Sequence, residues 1–406
     1  MEHLYHCADG NFIHCYHLTS KYLFVVESPI ENPQAVVVKY CNIPNKYNMK
    51  NLTYPILLSI SNIENRDSGF SSTVRSLNIV NVPTLLRGKL EIVYFMVINT
   101  NDGVQICSLE ELLSNDNELV SEGKKRISKW KHDQHNDSIT CIYAQGYKYG
   151  SIVVTYGTTL CNIVQFRFDT SKKRFSRIKL PKQLNQTKEQ MTDSISSISG
   201  IRLGMNYPTS ENESLWSSLS STEVMSFTNL DNTLYSIIEG KLEKVPFYSD
   251  TEEQTENQEQ TVIWGDFAVT KKYSTSSTMY FVVNIINLGC ILYKRSNRGQ
   301  WDKLNTFKRD IKTPEVIFPL DCYVFLRQHS NELIILSGSE SGKLYRWSYN
   351  YRDEYVSDSE IYEVNNLDID SEELSMVSII HSLSVLANEK VYFLSENNTS
   401  IGYINI

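Results

Sequence analysis

Histidines and cysteines crowd the start of the chain: His3, His6, Cys7, His14, Cys15 and His17. Imidazole and thiolate are zinc ligands. A structural zinc, however, takes four convergent ligands, usually in closely spaced pairs on loops. The stretch Phe12–Leu18 reads as a strand, in which His14 faces one way and Cys15 and His17 the other. No metal site is expected there. A second cluster, His132, Asp133, His135 and Asp137, combines types used for metal ligation or general acid–base work. Ser337, Gly338 and Ser339 could suggest a nucleophile turn. The string is SGSES and not GxSxG, and a strand rather than a helix follows it. No GxxxxGKS/T, GxGxxG or HExxH is present, so nucleotide and zincin chemistry have no anchor. The expectation is a protein with no cofactor and no catalytic residues.

Two basic runs stand against an acidic background of net charge −8. One is Lys124, Lys125, Arg126, Lys129, Trp130 and Lys131. The other is Lys172, Lys173, Arg174, Arg177, Lys179 and Lys182, with Phe175 inside it. Cations interleaved with aromatics suit the backbone and bases of a nucleic acid. They suit an acidic protein segment equally well, and lysine also simply protects a solvated edge strand from mispairing. Tyr143, Tyr147, Tyr149 and Tyr156 gather near one candidate turn. Tyrosine is both an interface residue and a good strand residue.

The elements that must carry these residues are short. β-Branched and aromatic runs such as Tyr22–Glu27, Leu90–Asn99, Ser151–Gly157, Gly289–Arg295 and Lys343–Ser348 are separated by polar turns along the whole chain. Only Leu109–Leu119 and Leu180–Gln190 read as possible short helices. The longest apolar run, Ile92–Ile98, is one strand long, so no membrane insertion is expected. The first residues have no basic-then-apolar signal pattern, and the eight cysteines show no CxxC pair. Both point to a reduced compartment, cytoplasm or nucleus.

Evenly spaced short strands suit a sandwich, a barrel or a propeller, and a chain of 406 residues is too long for one sandwich. Two segments carry a repeat signature. Residues 135–169 supply His135, Asp137, Ile139, Ile142 and Thr155. Residues 331–350 supply Ser337, Gly338, Ser339, the Ser341-Gly342 turn, Leu344 and Trp347. Both segments resemble the WD40 repeat: a His-containing loop, a strand of the form D-x-V-x-x-L, a strand ending in Ser-Gly-Ser, a tight turn, and a strand ending in Trp-Asp. No single repeat holds the whole set, since Phe166 stands at the tryptophan place after Thr155 and no histidine lies upstream of Ser337 at Phe307–Asp310.

The resemblance implies an all-β chain, 1–406, folded as one closed propeller of seven four-stranded blades. Units of about 58 residues exceed the usual 40–45 and leave room for long loops. These are Asn42–Leu52, Asn62–Thr73, Asn206–Ser221, Ser249–Gln260 and Tyr349–Glu373, with the acidic Ser249–Gln260 expected to be disordered. Ser400–Ile406 is expected to close the ring by completing the N-terminal blade. The two basic runs, Lys124 and Lys172 being 48 positions apart, then fall on consecutive blades as neighbours. The resemblance gives His135 and Asp137 structural roles. It implies a scaffold or adaptor subunit of a eukaryotic intracellular complex that binds partner proteins through loops and faces. A nuclear subunit touching nucleic acid, and a propeller hydrolase, are the alternatives.

Overall fold

The computed structural model describes residues 2–18, 22–32, 36–42, 56–60, 74–86, 89–100, 103–109, 127–132, 137–147, 150–179, 195–200, 224–229, 234–238, 241–245, 262–270, 278–285, 289–295, 300–308, 319–327, 330–339, 343–363, 383–386, 390–395 and 399–405. Apart from Leu109, the two candidate helices lie outside these residues, as do 249–260 and 206–221.

A short strand, β1 (Glu2–His6), precedes the first apolar run. Six antiparallel four-stranded sheets then follow in chain order. The first is β2 (Asn11–Leu18), β3 (Tyr22–Pro29), β4 (Val36–Asn42) and β5 (Ile56–Ile60). The second is β6 (Val74–Leu86), β7 (Lys89–Thr100), β8 (Gly103–Ser108) and β9 (Ser128–Lys131). The third is β10 (Ile139–Tyr147), β11 (Ser151–Thr158), β12 (Ile163–Asp169) and β13 (Arg174–Ile178). The fourth is β14 (Ile195–Gly200), β15 (Val224–Asn229), β16 (Leu234–Ile238) and β17 (Lys241–Lys244). The fifth is β18 (Val262–Thr270), β19 (Thr278–Ile285), β20 (Gly289–Arg295) and β21 (Trp301–Lys308). The sixth is β22 (Pro319–Leu326), β23 (Glu332–Ser339), β24 (Lys343–Asn350) and β25 (Tyr355–Glu363). The chain ends in β26 (Leu383–Leu386), β27 (Lys390–Ser395) and β28 (Ser400–Asn405).

These last three strands form a sheet with β1, in the order β1-β28-β27-β26. The expectation for the C-terminus is corrected in one respect. The last strand does pair with the first, Glu2 opposite Tyr403 and His6 opposite Ser400. Yet it is β1 that completes the C-terminal sheet, and the N-terminal sheet β2–β5 is filled by consecutive strands. Residues 349–373 are likewise not all loop, because β25 lies within them.

Each sheet packs on the next. Phe24, Val26 and Val38 of the first meet Ile79, Met96 and Ile98 of the second. Val97, Val104 and Ile106 of the second meet Ile152, Val154 and Phe166 of the third. First strands of the third, fourth and fifth sheets lie against one another in turn. Tyr280 and Leu292 meet Ile335 and Trp347 between the fifth and sixth, and Ile334 and Leu336 meet Val391 and Phe393 between the sixth and the last. The last sheet in turn packs on the first, through Leu4, Tyr5, Tyr392 and Tyr403 against Ile13, Leu18 and Val25. The second strands β3, β11, β19 and β23 are therefore covered on both faces, and β11 (SIVVTYGT) is buried at every position. That is why such strands read as continuous apolar runs.

A bulge recurs where the first strand of a sheet pairs with the second: Ile13/Cys15, Val74/Ser76, Ile139/Cys141, Ile195/Ser197, Val262/Trp264 and Pro319/Cys322. Bulges raise local twist and re-aim side chains. Their recurrence is a structural repeat that the residue types do not reveal.

A second tie holds β1. Tyr5 donates its hydroxyl to Glu27 Oε2 at 2.5 Å, and Lys39 forms an ion pair with Glu27 and donates to the Tyr5 hydroxyl at 3.3 Å. Glu27 is 2% exposed. Burying that carboxylate is tolerable only because it is paired and hydrogen-bonded. Tyr16 adds a bond across the same junction, its hydroxyl donating to the Tyr392 carbonyl at 2.9 Å.

Candidate interaction site on the second and third sheets

β9 and β13 end the second and third sheets, so both lie at a sheet edge. The short sequence SKWK alternates, leaving Lys129 and Lys131 exposed and turning Trp130 inward. In β13 (RFSRI), Arg174, Ser176 and Arg177 are exposed while Phe175 is half-buried. Lys172 and Lys173 are exposed in the turn before β13, Lys179 is exposed just after it, and Arg167 is exposed on β12 opposite Ser176. Lys124, Lys125, Arg126 and Lys182 lie outside the described residues.

Aromatic stacking brings the two strands together. The Trp130 ring lies on Phe166 at 4.6 Å and 17°, and against Phe175 at 5.7 Å. Phe175 also meets Phe166 at 5.4 Å and Phe168 at 4.8 Å. Trp130 is thus not displayed beside the lysines but fastens β9 to the third sheet. Gly103 makes the close approach of β8 to β9 possible. It has φ +156°, and a Cβ there would stand 2.0 Å from the Trp130 carbonyl oxygen. The β12–β13 turn is held by Asp169, whose Oδ1 accepts from the backbone N–H groups of Ser171 and Lys172, both at 3.0 Å. These bonds, that from Lys172 foremost, keep the Asp169 carboxyl below its ordinary value.

Behind the rim runs a polar network. Trp130 Nε1 donates to the Tyr156 hydroxyl at 3.3 Å, which lies 2.9 Å from His132 Nδ1; His132 Nε2 lies 3.3 Å from Asp137 Oδ2. Tryptophan can only donate, so Tyr156 accepts from it, and the Asp137 carboxylate can only accept, so the Nε2–H of His132 donates to it. Asp137 Oδ1 also accepts from Thr159 Oγ1 at 3.0 Å and the Leu160 N–H at 2.9 Å, and Oδ2 from Asn162 Nδ2 at 2.9 Å. It therefore caps the β11–β12 turn.

Burial opposes ionisation of Asp137, but bonds from Asn162, Leu160, Thr158 and Thr159 outweigh it and hold the carboxyl below its ordinary 3.8. A carboxyl depressed in the folded state adds stability that is complete above the unfolded value and is lost as pH falls through the folded one. Asp137→Asn should therefore lower the denaturation midpoint at about pH 6, with the deficit shrinking below about pH 4. A deficit independent of pH would count against this role.

The residues of the repeat signature fall in different places. Asp137 is buried in the network, but the histidine found with it is His132, and His135 lies outside the described residues. Thr155 Oγ1 accepts from Gln165 Nε2 at 2.9 Å on the neighbouring strand. Ser337 Oγ donates to Asn284 Oδ1 at 3.4 Å across to the fifth sheet. Trp347 is buried between the fifth and sixth sheets, stacked on Tyr345 at 5.8 Å, while Gly342 lies outside the described residues. Of the tyrosine group, Tyr156 is buried and Tyr143 half-buried.

The histidine–cysteine cluster near the start disperses. His14 Nε2 lies 2.7 Å from Ser28 Oγ, with burial lowering its pKa, and the Cys7 thiol donates to the Asn11 carbonyl at 3.1 Å. Burial, followed by the nearby Glu27 charge, raises the Cys7 thiol. Among the described residues no group of three or more His, Cys, Asp or Glu is placed to hold a metal, and no helix is long and apolar enough to cross a membrane.

Successive four-stranded antiparallel sheets, each packed face to face on the next, define the class: the fold is that of β-propeller proteins. Among solved structures, the chain is similar to YCF48 from Cyanidioschyzon merolae, with TM-score 0.51 and 9% identity over 98% of this chain and 97% of that one. It also overlays the crystal structure of BBS1N in complex with ARL6DN, with TM-score 0.46 and 10% identity over 97% of this chain and 91% of that one. No family model and no curated protein matches the sequence.

Proposed function

We propose that the sheets close into one seven-bladed, WD40-like ring, with β1 as the outer strand of the last blade. The pairing of β1 with β28 and the Tyr5–Glu27–Lys39 tie support closure. The chain then acts as a non-catalytic scaffold subunit of a eukaryotic complex in the nucleus or cytoplasm, holding an acidic segment of a partner protein on the β9–β13 rim. One observation carries this reading. In a chain of net charge −8, Lys129 and Lys131 on β9, Arg174 and Arg177 on β13, and Lys172 and Lys173 in the turn before it are exposed where an aromatic stack ties the two strands. A preorganised cationic edge gives steering and specificity toward acidic partners. The inward turn of Trp130 favours protein over nucleic acid, since stacking on bases needs an open aromatic face. The ligation of His132 and Asp137 to their own neighbours favours a structural over a catalytic role.

Affinity purification of the tagged chain from its native cells tests the proposal. Wild type and a rim variant (Lys129→Glu, Lys131→Glu, Arg174→Glu, Arg177→Glu) are compared at two salt concentrations. A fixed set of partners at near-equal amounts, with an acidic member lost selectively from the variant, is expected. Recovery of the bare chain, or of nucleic acid that salt removes, would overturn it.

A further inference from the structure

The outer strand of the sixth sheet differs from its counterparts. β9 and β13 mix exposed with half-covered residues, and β21 buries Trp301 and Phe307. In β25 every residue from Tyr355 to Ile361 is exposed. Tyr355 is 52%, Val356 40% and Ile361 50% exposed, among the few large apolar side chains so placed. The strand is nine residues long, and among the described residues nothing in the sheet order lies beyond it. Natural edges of that length are usually blunted with lysine, proline or a covering element. YVSDSEIYE has neither lysine nor proline.

Its charges are acidic and held in place. Arg346 of β24 stands opposite Glu360 and binds it through Nη1 at 2.6 Å, with Asp358 3.7 Å from the same nitrogen. Arg346 Nη2 donates to Ser348 at 3.3 Å. Tyr362 donates its hydroxyl to Glu360 as well. A carboxylate has about four acceptor positions. The fixed carboxylates thus keep acceptor capacity on the open side, and the backbone edge is regular from Asp358 to Glu363, beyond one bulge at Ser357. A second copy pairing antiparallel on this edge would set acid against acid, which disfavours self-association. An incoming strand with lysine or arginine among aliphatic residues would place cations beside Asp358 and Glu360 and apolar groups on Val356 and Ile361.

We propose that the free edge of β25 is a docking site for a basic, aliphatic, extended segment of a partner protein, which adds to the sixth sheet as a fifth strand. Strand addition draws affinity from main-chain bonds and specificity from alternate side chains. This surface is separate from the β9–β13 rim, carries the opposite charge and stands without it.

The test uses the full chain and a labelled peptide of about ten residues, alternating Lys or Arg with Val or Ile. Two controls are the same peptide N-methylated at alternate residues, and its glutamate counterpart. Binding at about 100 μM or tighter is expected, with amide exchange across residues 355–361 slowed in the complex. The N-methylated peptide, the glutamate peptide and a Val356→Lys/Ile361→Lys variant should each bind about tenfold more weakly or worse. The β9–β13 rim variant should bind as wild type does. Equal binding of the N-methylated peptide, persistence in the β25 variant, dimerisation through this edge, or no binding at that concentration would each overturn the proposal.

Discussion

Lys39→Ala should destabilise the chain by about 3 kcal/mol, read as a shift in the urea midpoint, at the low end of the loss for breaking a buried pair. The reason is what the substitution leaves behind. Glu27 keeps the Tyr5 hydroxyl but loses the Lys39 ammonium while still buried. The lysine side chain is 22% exposed, so water partly compensates and the loss falls at that lower bound. Tyr5→Phe should cost less, about 1.5–3 kcal/mol for a bond to a charged acceptor. The two losses should not add, because both act on one carboxylate. Glu27→Met with Lys39→Met should recover much of the stability, since it removes the charges together. If Lys39→Ala costs less than about 1 kcal/mol, the pair behaves as a solvated surface bridge and β1 is held by apolar packing alone.

Trp130→Ala is the second large effect. It removes the ring that lies on Phe166 and meets Phe175, together with the bond from Trp130 Nε1 to the Tyr156 hydroxyl. Truncating a large aromatic in a packed core costs about 3–5 kcal/mol, and the half-buried position of Trp130 puts the loss near 3. The functional consequence should exceed that of an ordinary core truncation elsewhere. With the stack gone, β9 is no longer fixed beside β13, and the acidic partner should be lost even under conditions where the chain stays folded. Trp130→Phe keeps a stacking ring and loses only the N–H, so it should cost about 1 kcal/mol and retain partner binding. Denaturant midpoints read alongside partner recovery separate the two effects. Full recovery with Trp130→Ala would show that the stack does not position the rim.

The sequence patterns that succeeded share one cause. Middle strands such as β3, β11 and β24 are buried over nearly their whole length, so YLFVVESP, SIVVTYGT and KLYRWSYN stand out as apolar runs. The outer strands β9, β13 and β25 each end a sheet and expose many of their residues. SKWK, RFSRI and YVSDSEIYE read as polar connectors for that reason. β1 was obscured because only Leu4 and Tyr5 in EHLYH point to burial, among histidines that suggested other chemistry. The basic runs were plain as charge, and their placement on consecutive sheets followed from spacing. Which side of β9 Trp130 takes was available only from the two-residue alternation of SKWK, a signal too short to stand out. The contact of His132 with Asp137 joins two residue types five positions apart, a spacing that does not itself specify it. The Glu27–Lys39 pair joins strands β3 and β4, and its link to Tyr5 depends on where the pairing of β1 with β28 places that side chain, which no local pattern encodes.

The most direct test of the central claim is a titration of purified wild type and the four-substitution rim variant. The probes are a labelled glutamate-rich peptide and a labelled single-stranded RNA of equal charge, each at low and high salt. The account predicts that wild type binds the peptide in preference to the RNA and that the variant loses the peptide. Equal affinity of both proteins for the peptide would contradict it, as would tighter binding of the RNA that falls steeply with salt.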